Sequence, residues 1–212
     1  MKAIVFDLDG TLLDTLDDLT DSVNTALEKY GFPLRTKEEV RRFVGNGLRN
    51  LMTQAVPNGD SAPEFEELFV FFKDYYKSHC DIKTGPYEGI MELLEELHKR
   101  EIKMAIVSNK FDLGVKALNE KFFAKYIDVA IGEREGIGRK PAPDSTNEAL
   151  RLLGVEKSEA VYVGDSDVDI KTAKNAEIAC VCVSWGFRDK EFLLEQGAKI
   201  VISHPMELLE QI

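Results

Sequence analysis

Ala3-Ile4-Val5-Phe6-Asp7-Leu8-Asp9-Gly10-Thr11 is the stretch on which the reading of the fold turns. Ala3 to Phe6 is continuously apolar and includes two β-branched residues. A strand with one face in water would alternate apolar with polar, so this one reads as buried on both faces, as in a parallel sheet. It runs directly into two carboxylates at i and i+2. Side chains along a strand alternate with a period of two, which sends Asp7 and Asp9 to the same side. Gly10 then admits a backbone conformation closed to other residues. In open α/β sheets, ligands bind beyond the carboxyl ends of the strands, so paired acids at such an end are candidates for chemistry. The competing reading is that Asp and Gly stand here for turn geometry alone.

Five further runs extend the pattern: Ala105-Ile106-Val107, Val129-Ala130-Ile131, Val161-Tyr162-Val163, Cys180-Val181-Cys182-Val183 and Lys199-Ile200-Val201-Ile202. Helical spacing fills the intervals, marked by Ile90, Leu93, Leu94 and Leu97, then Ala149, Leu150 and Leu153, then Ile170 and Ala173. Strand alternating with helix predicts an α/β protein with a doubly wound parallel sheet. The segment 15–84 breaks the alternation. Leu16, Leu19, Val23, Ala26, Leu27 and Tyr30 define a helix that stops at Gly31 and Pro33, and Thr36 with Glu39 forms a capping box opening a second. Leu48, Leu51, Met52 and Ala55 suggest a third, and Phe65, Leu68, Phe69, Phe72 and Tyr76 a fourth. The expected division is a core of residues 1–14 and 85–212 around an all-helical insert, 15–84.

The 212 residues are 44% hydrophobic and 31% charged, which excludes a disordered or collagen-like chain. Lys plus Arg number 27 against 38 Asp plus Glu, a net charge of −11, which argues against nucleic acid as a partner. Three cysteines without a C-x-x-C give no disulfide framework. Asp7 interrupts the first apolar run too early for a signal peptide, and no run approaches a membrane span. A cytoplasmic location and no membrane partner are the expectations.

Other strand ends carry complementary groups. Val163 is followed by Gly164-Asp165-Ser166-Asp167-Val168-Asp169, and Val107 by Ser108-Asn109-Lys110. In Gly138-Arg139-Lys140-Pro141-Ala142-Pro143-Asp144 the prolines restrict the backbone around Lys140. Alone, Lys140 reads as a solvated charge and Ser108 as a turn residue. Carboxylates, a hydroxyl, an amide and a cation at several strand ends are together hard to attribute to loops. Carboxylates are also the hard oxygen ligands that suit Mg²⁺.

Phe6-Asp7-Leu8-Asp9-Gly10-Thr11, Ser108-Asn109, Lys140-Pro141 and Gly164-Asp165-Ser166 with Asp169, in that order, resemble the haloacid-dehalogenase superfamily of phosphohydrolases. Val44-Gly45-Asn46-Gly47 and Pro141-x-Pro143-Asp144 strengthen the similarity to its phosphoglycolate-phosphatase-like group. The resemblance covers essentially the whole chain. It implies a Rossmann-like core with a helical cap inserted after the first strand, and a Mg²⁺-dependent phosphatase acting on a small phosphorylated metabolite, with 2-phosphoglycolate as favourite. By resemblance Asp7 is the nucleophile and Asp9 the general acid and base. Asp7, Asp9 (through its carbonyl), Asp165 and Asp169 surround the metal, with Asp169 supporting either the ion or Lys140. Thr11, Ser108, Asn109 and Lys140 bind phosphate. A phosphomutase of the β-phosphoglucomutase kind, a pyrophosphatase or nucleotidase, and a silent binding module remain alternatives.

Asn46, Gly47 and Arg49 are candidates for reading the substrate, although a plain interhelical turn explains them equally well. Gly45-x-Gly47 follows no strand, which excludes a dinucleotide fingerprint, and the scattered His79, His98 and His204 suggest no zinc site. Asp14, Asp17 and Asp18 read as negative charge at a helix start, and Trp185 as packing. Monomer or homodimer is the expected state.

Overall fold

Ala3–Phe6 (β1) is completely buried and lies at the centre of a parallel sheet, as its unbroken apolarity requires. The structure, a computed structural model, describes residues 1–45 and 47–212. After β1 the chain passes through Leu13–Asp14 (β2) and then four helices: Leu16–Lys29 (α1), Lys37–Phe43 (α2), Gly47–Ala55 (α3) and Phe65–His79 (α4). Gly85–Pro86 (β3) pairs with β2. Then follow Ile90–Lys99 (α5), Lys103–Phe111 (β4), Asp112–Phe122 (α6), Val129–Glu133 (β5), Asp144–Leu153 (α7) and Ala160–Gly164 (β6). Asp167–Ala176 (α8), Ala179–Val183 (β7), Lys190–Glu195 (α9), Val201–Ile202 (β8) and a 3₁₀ segment, Pro205–Glu210, complete the chain.

The sheet runs β5-β4-β1-β6-β7-β8, with every pairing parallel. Succession moves outward from β1 through β4 to β5, then crosses back to β6 on the other side of β1. The order therefore reverses between β1 and β6, and in doubly wound sheets ligands bind at such a reversal. Ile4, Phe6, Ile106, Val161, Val163 and Val181 pack with Leu93, Leu94 and Leu97 of α5 and Val115 and Leu118 of α6. The alternate residues Ala3, Val5, Ala105, Val107 and Tyr162 pack with Ala149 and Leu150 of α7 and Ala173 and Ala176 of α8. Period-two alternation thus sorts one strand between two apolar layers.

Two compact units result: Met1–Leu13 with Pro86–Ile212, and Asp14–Gly85. Within the helical unit, Val23, Leu27, Val40, Met52, Phe65, Leu68 and Phe72 form a buried interior. The Thr36–Glu39 capping box is made, with the Thr36 N–H donating to Glu39 Oε2 at 2.8 Å. Asp18 is more than helix-start charge, because its buried carboxylate accepts the backbone N–H groups of Lys83 and Thr84 at 2.9 Å each. The last strand is shorter than its apolar run: Lys199 and Ile200 stay outside β8.

Candidate active site

The end of β1 meets the end of β6 through the main chain. The Asp7 N–H donates to Val163 O at 2.9 Å, continuing the ladder by one residue past the strand. By parity Asp7 follows Val5, so its side chain turns toward the layer of α7 and α8. Its Oδ1 accepts the Leu8 N–H at 2.7 Å and the Lys140 ammonium at 2.8 Å. Both donors are on the same oxygen, leaving Oδ2 without a hydrogen-bond donor among the described residues.

Lys140 is held from several directions, and its side chain is 3% exposed. Its Nζ also donates to Asp169 Oδ1 at 2.8 Å and Tyr162 Oη at 3.0 Å. Its main chain is clasped by Asn109, whose Oδ1 accepts the Lys140 N–H at 2.9 Å while Nδ2 donates to the Lys140 carbonyl at 3.1 Å. The Asn109 amide is thus engaged in positioning the lysine. Asp169 is fully buried and is satisfied by protein: Oδ1 takes Lys140 and Tyr162, and Oδ2 accepts the Ser166 N–H at 3.1 Å and hydroxyl at 2.6 Å.

Asp165 lies under Thr11 and the loop after β7. The Thr11 hydroxyl faces its Oδ1 at 3.4 Å, and the Phe187 N–H donates to Oδ2 at 2.6 Å. Gly10 sits at φ +88°, and a Cβ there would run into the Asp165 carboxylate and the Phe187 ring. Asp9, the least buried acid of the group, has Ser108 Oγ 3.4 Å from Oδ2 and Lys110 Nζ 3.1 Å from Oδ1.

Oxygens of Asp7, Asp165 and Asp169 lie within 4.8 Å of one another. One ammonium, in contact with Asp7 and Asp169, serves a cluster of three buried carboxylates and leaves it short of positive charge. Burial pushes the Asp165 carboxyl up to about 7, with Asp169 adding to the effect. Burial also raises Asp7 well above the usual carboxylate range; Lys140 opposes the shift, while Asp169 and Asp165 reinforce it. Burial alone would lower Lys140, but Asp169 and Asp7 outweigh it and hold the ammonium well above its ordinary value. Hard oxygen donors in an anionic, water-poor recess fit a divalent cation, which would take up the excess charge. Because Asp169 already takes two protein donors on each oxygen, whereas Asp165 takes one on each, Asp7 and Asp165 are the better placed ligands.

The family model for haloacid dehalogenase-like hydrolases matches residues 4–183. The chain belongs to this family. A phosphoglycolate phosphatase of Mesorhizobium japonicum is 35% identical over 217 residues, covering 99% of this chain and 95% of that protein. Pyrophosphatase PpaX of Listeria welshimeri is 31% identical, with 99% and 95% covered. A crystal structure from Lactobacillus delbrueckii subsp. bulgaricus, provisionally called a phosphoglycolate phosphatase, is 39% identical with a TM-score of 0.94, covering 100% and 98%.

In this hydrolase the structure brings together Asp7, Asp9, Thr11, Ser108, Asn109, Lys140, Asp165 and Asp169. Sequence reasoning missed four supports. Tyr162 joins Lys140 to Asp169, and Lys110 reaches Asp9. Trp185 is more than packing: its Nε1 donates to the Thr11 carbonyl at 3.0 Å. At Gly186 a Cβ would collide with Gly10 O and the Asp165 side chain, so only glycine lets the two loops meet there. A Trp-Gly pair directly after a sheet strand is the signal that could have exposed this loop.

The cap candidates divide differently. Asn46 lies outside the described residues. Gly47 opens α3 at φ +77°, a left-handed conformation that suits glycine. The Arg49 guanidinium pairs with Glu66 and lies over the Phe65 and Phe69 rings, 5.1 and 5.3 Å from their centroids.

Proposed function

We propose that this enzyme cleaves a small phosphorylated metabolite in a Mg²⁺-dependent reaction, with 2-phosphoglycolate as the preferred substrate. As a phosphatase of the haloacid dehalogenase family it is a phosphoric monoester hydrolase. The observation that carries the reaction is the Asp7–Lys140 contact of 2.8 Å at the end of β1. A carboxylate with one oxygen pinned by a buried cation keeps its other oxygen oriented for attack.

Asp7 attacks phosphorus, and the ester P–O bond breaks with its electron pair going to the leaving oxygen. Asp9 protonates that oxygen, then removes a proton from the water that hydrolyses the aspartyl-phosphate. Lys140, Ser108 and Thr11 face the nonbridging oxygens, while Asn109 and Asp169 hold Lys140 in place. Mg²⁺ held by Asp7, Asp165 and the Asp9 carbonyl would neutralise charge on the transferring group. Of the cap residues, Asn46, Gly47 and Arg49 are the ones assigned to reading the remainder of the substrate.

The phosphoglycolate phosphatase relative supports the substrate choice. The pyrophosphatase relative, matched over a similar share of the chain, supports inorganic pyrophosphate as a second reading. A phosphate-release screen with Mg²⁺ over phosphoglycolate, other small esters, nucleotides and pyrophosphate separates the two. A dominant pyrophosphate signal reverses the preference, and an isomerised sugar phosphate replaces hydrolysis with mutase chemistry. Stereochemistry at phosphorus tests the nucleophile: hydrolysis of a substrate made chiral at phosphorus by oxygen isotopes should give phosphate of retained configuration, because each of two in-line displacements inverts it. Inversion means that water attacks the substrate directly.

A further inference from the structure

Lys110 is a buried cation that the reaction above does not use. It lies near the end of β4, two residues after Ser108, with its side chain 3% exposed and Nζ 3.1 Å from Asp9 Oδ1. Its own N–H donates to Ser108 Oγ at 3.1 Å, and that hydroxyl lies 3.4 Å from Asp9 Oδ2. Ser108 and Lys110 therefore address the two oxygens of one carboxylate from the same strand end. The register of β4 against β5 makes this possible. Val107 faces Ile131 and Phe111 faces Glu133, so β4 carries extra residues between the paired positions. Such bulges re-aim side chains, and this one spans Ser108 to Lys110.

An ammonium removed from water is costly unless it is paired, and Asp9 supplies a partner. The two lysines of the site divide its acids: Lys140 contacts Asp7 and Asp169, while Lys110 contacts Asp9.

We infer that Lys110 is a positioning residue for Asp9, fixing its carboxyl plane and stabilising the negative charge that grows on it as it gives up its proton. The inference rests on the acid–base reading of Asp9 given above. When the ester bond breaks, the electron pair passes to the leaving oxygen and the proton passes from Asp9 to that oxygen. Asp9 is then an anion beside an ammonium already in place, so no dipoles must reorient at the moment of transfer. The same contact holds the carboxylate ready to accept a proton from water in the second step.

The dependence on Asp9 scales with how badly the leaving group needs a proton. An alkoxide, as from phosphoglycolate, needs one; 4-nitrophenolate departs without it. Lys110→Met should therefore slow phosphoglycolate cleavage more than 4-nitrophenyl phosphate cleavage, by a further factor on the order of 10 to 10². Lys110→Arg, which keeps a cation, should recover part of that difference. The rates are read as leaving-group release in single turnovers with enzyme saturating and in excess, where they do not depend on the fraction of folded enzyme. Asp9→Asn is run alongside and should show the same discrimination. Equal slowing of both substrates by Lys110→Met, with Asp9→Asn still discriminating, overturns the role of Lys110 alone. If neither variant discriminates, the acid–base reading of Asp9 falls as well.

Discussion

The strand ends of the α/β unit and the surface of the helical unit use charge in opposite ways. At the strand ends, Lys140 and Lys110 are almost wholly removed from water and face Asp7, Asp169 and Asp9. In the helical unit, Lys37–Asp17, Lys83–Asp21 and Arg49–Glu66 are pairs with about half or more of each side chain in solvent. Exposed pairs gain little, because water screens them and two long side chains must be ordered. Buried pairs are expensive to assemble, and an apolar replacement of similar volume is often no less stable. The exposed pairs of the helical unit therefore cost little and need no special reason, whereas the buried network at the strand ends calls for a chemical one.

The sharpest way to break this contrast is Asp7→Asn. It keeps the shape of the side chain and removes the nucleophile, so turnover in a phosphate-release assay should fall by on the order of 10³-fold or more. The melting temperature without metal should hold or rise, because burial already disfavours the charged form of Asp7. A large loss of melting temperature would mean that the acid serves the fold.

Lys140→Met against Arg49→Ala sharpens the same contrast. The first leaves buried carboxylates uncompensated and should cost about 3–5 kcal/mol in denaturant unfolding at neutral pH. The second removes an exposed pair and should leave the unfolding midpoint where it was. Equal shifts would erase the distinction between the units.

A smaller effect joins metal to proton. Burial raises Asp165 from 3.8 to about 7, so the folded state binds this proton more tightly than the unfolded chain does. Its contribution to stability is present at low pH and lost as the pH rises through about 7. A divalent cation substitutes for the proton only where the proton has left. Added Mg²⁺ should accordingly raise the melting temperature more at roughly pH 8 than at roughly pH 5. Equal gains at both would place the ion away from Asp165.

Locally determined features were legible in the sequence. Period-two spacing and Gly10 marked Asp7 and Asp9, continuous apolarity marked the strands, and Thr36 with Glu39 marked a helix start. Order along the chain also located Lys140 and Asp165, because a doubly wound sheet gathers its strand ends on one side. Lys110 was not legible as the partner of Asp9, because that contact joins residues far apart in the chain and depends on the bulge in β4. Trp185 was hidden for the same reason, since its indole N–H meets a carbonyl near the opposite terminus. The grip of Asn109 on the Lys140 main chain was hidden likewise, because the sequence shows an amide at a strand end without showing what it meets.

The central position of β1 has a consequence for how the chain reaches its native state. β1 is made first, yet its ladder partners begin only at Lys103 and Ala160. The helical segment lies between, and its helices pack on one another, α1 most extensively on α4, across a shorter stretch of chain than separates β1 from β4. Closing long loops is entropically slow, whereas local helical contacts form quickly. During refolding, amides of α1 and α4 should gain hydrogen-exchange protection before those of β1, and protection of β1 first would contradict this order. A nascent chain thus carries its most apolar strand unpaired until β4 and β6 have been made, and any factor that shields it has that interval in which to act.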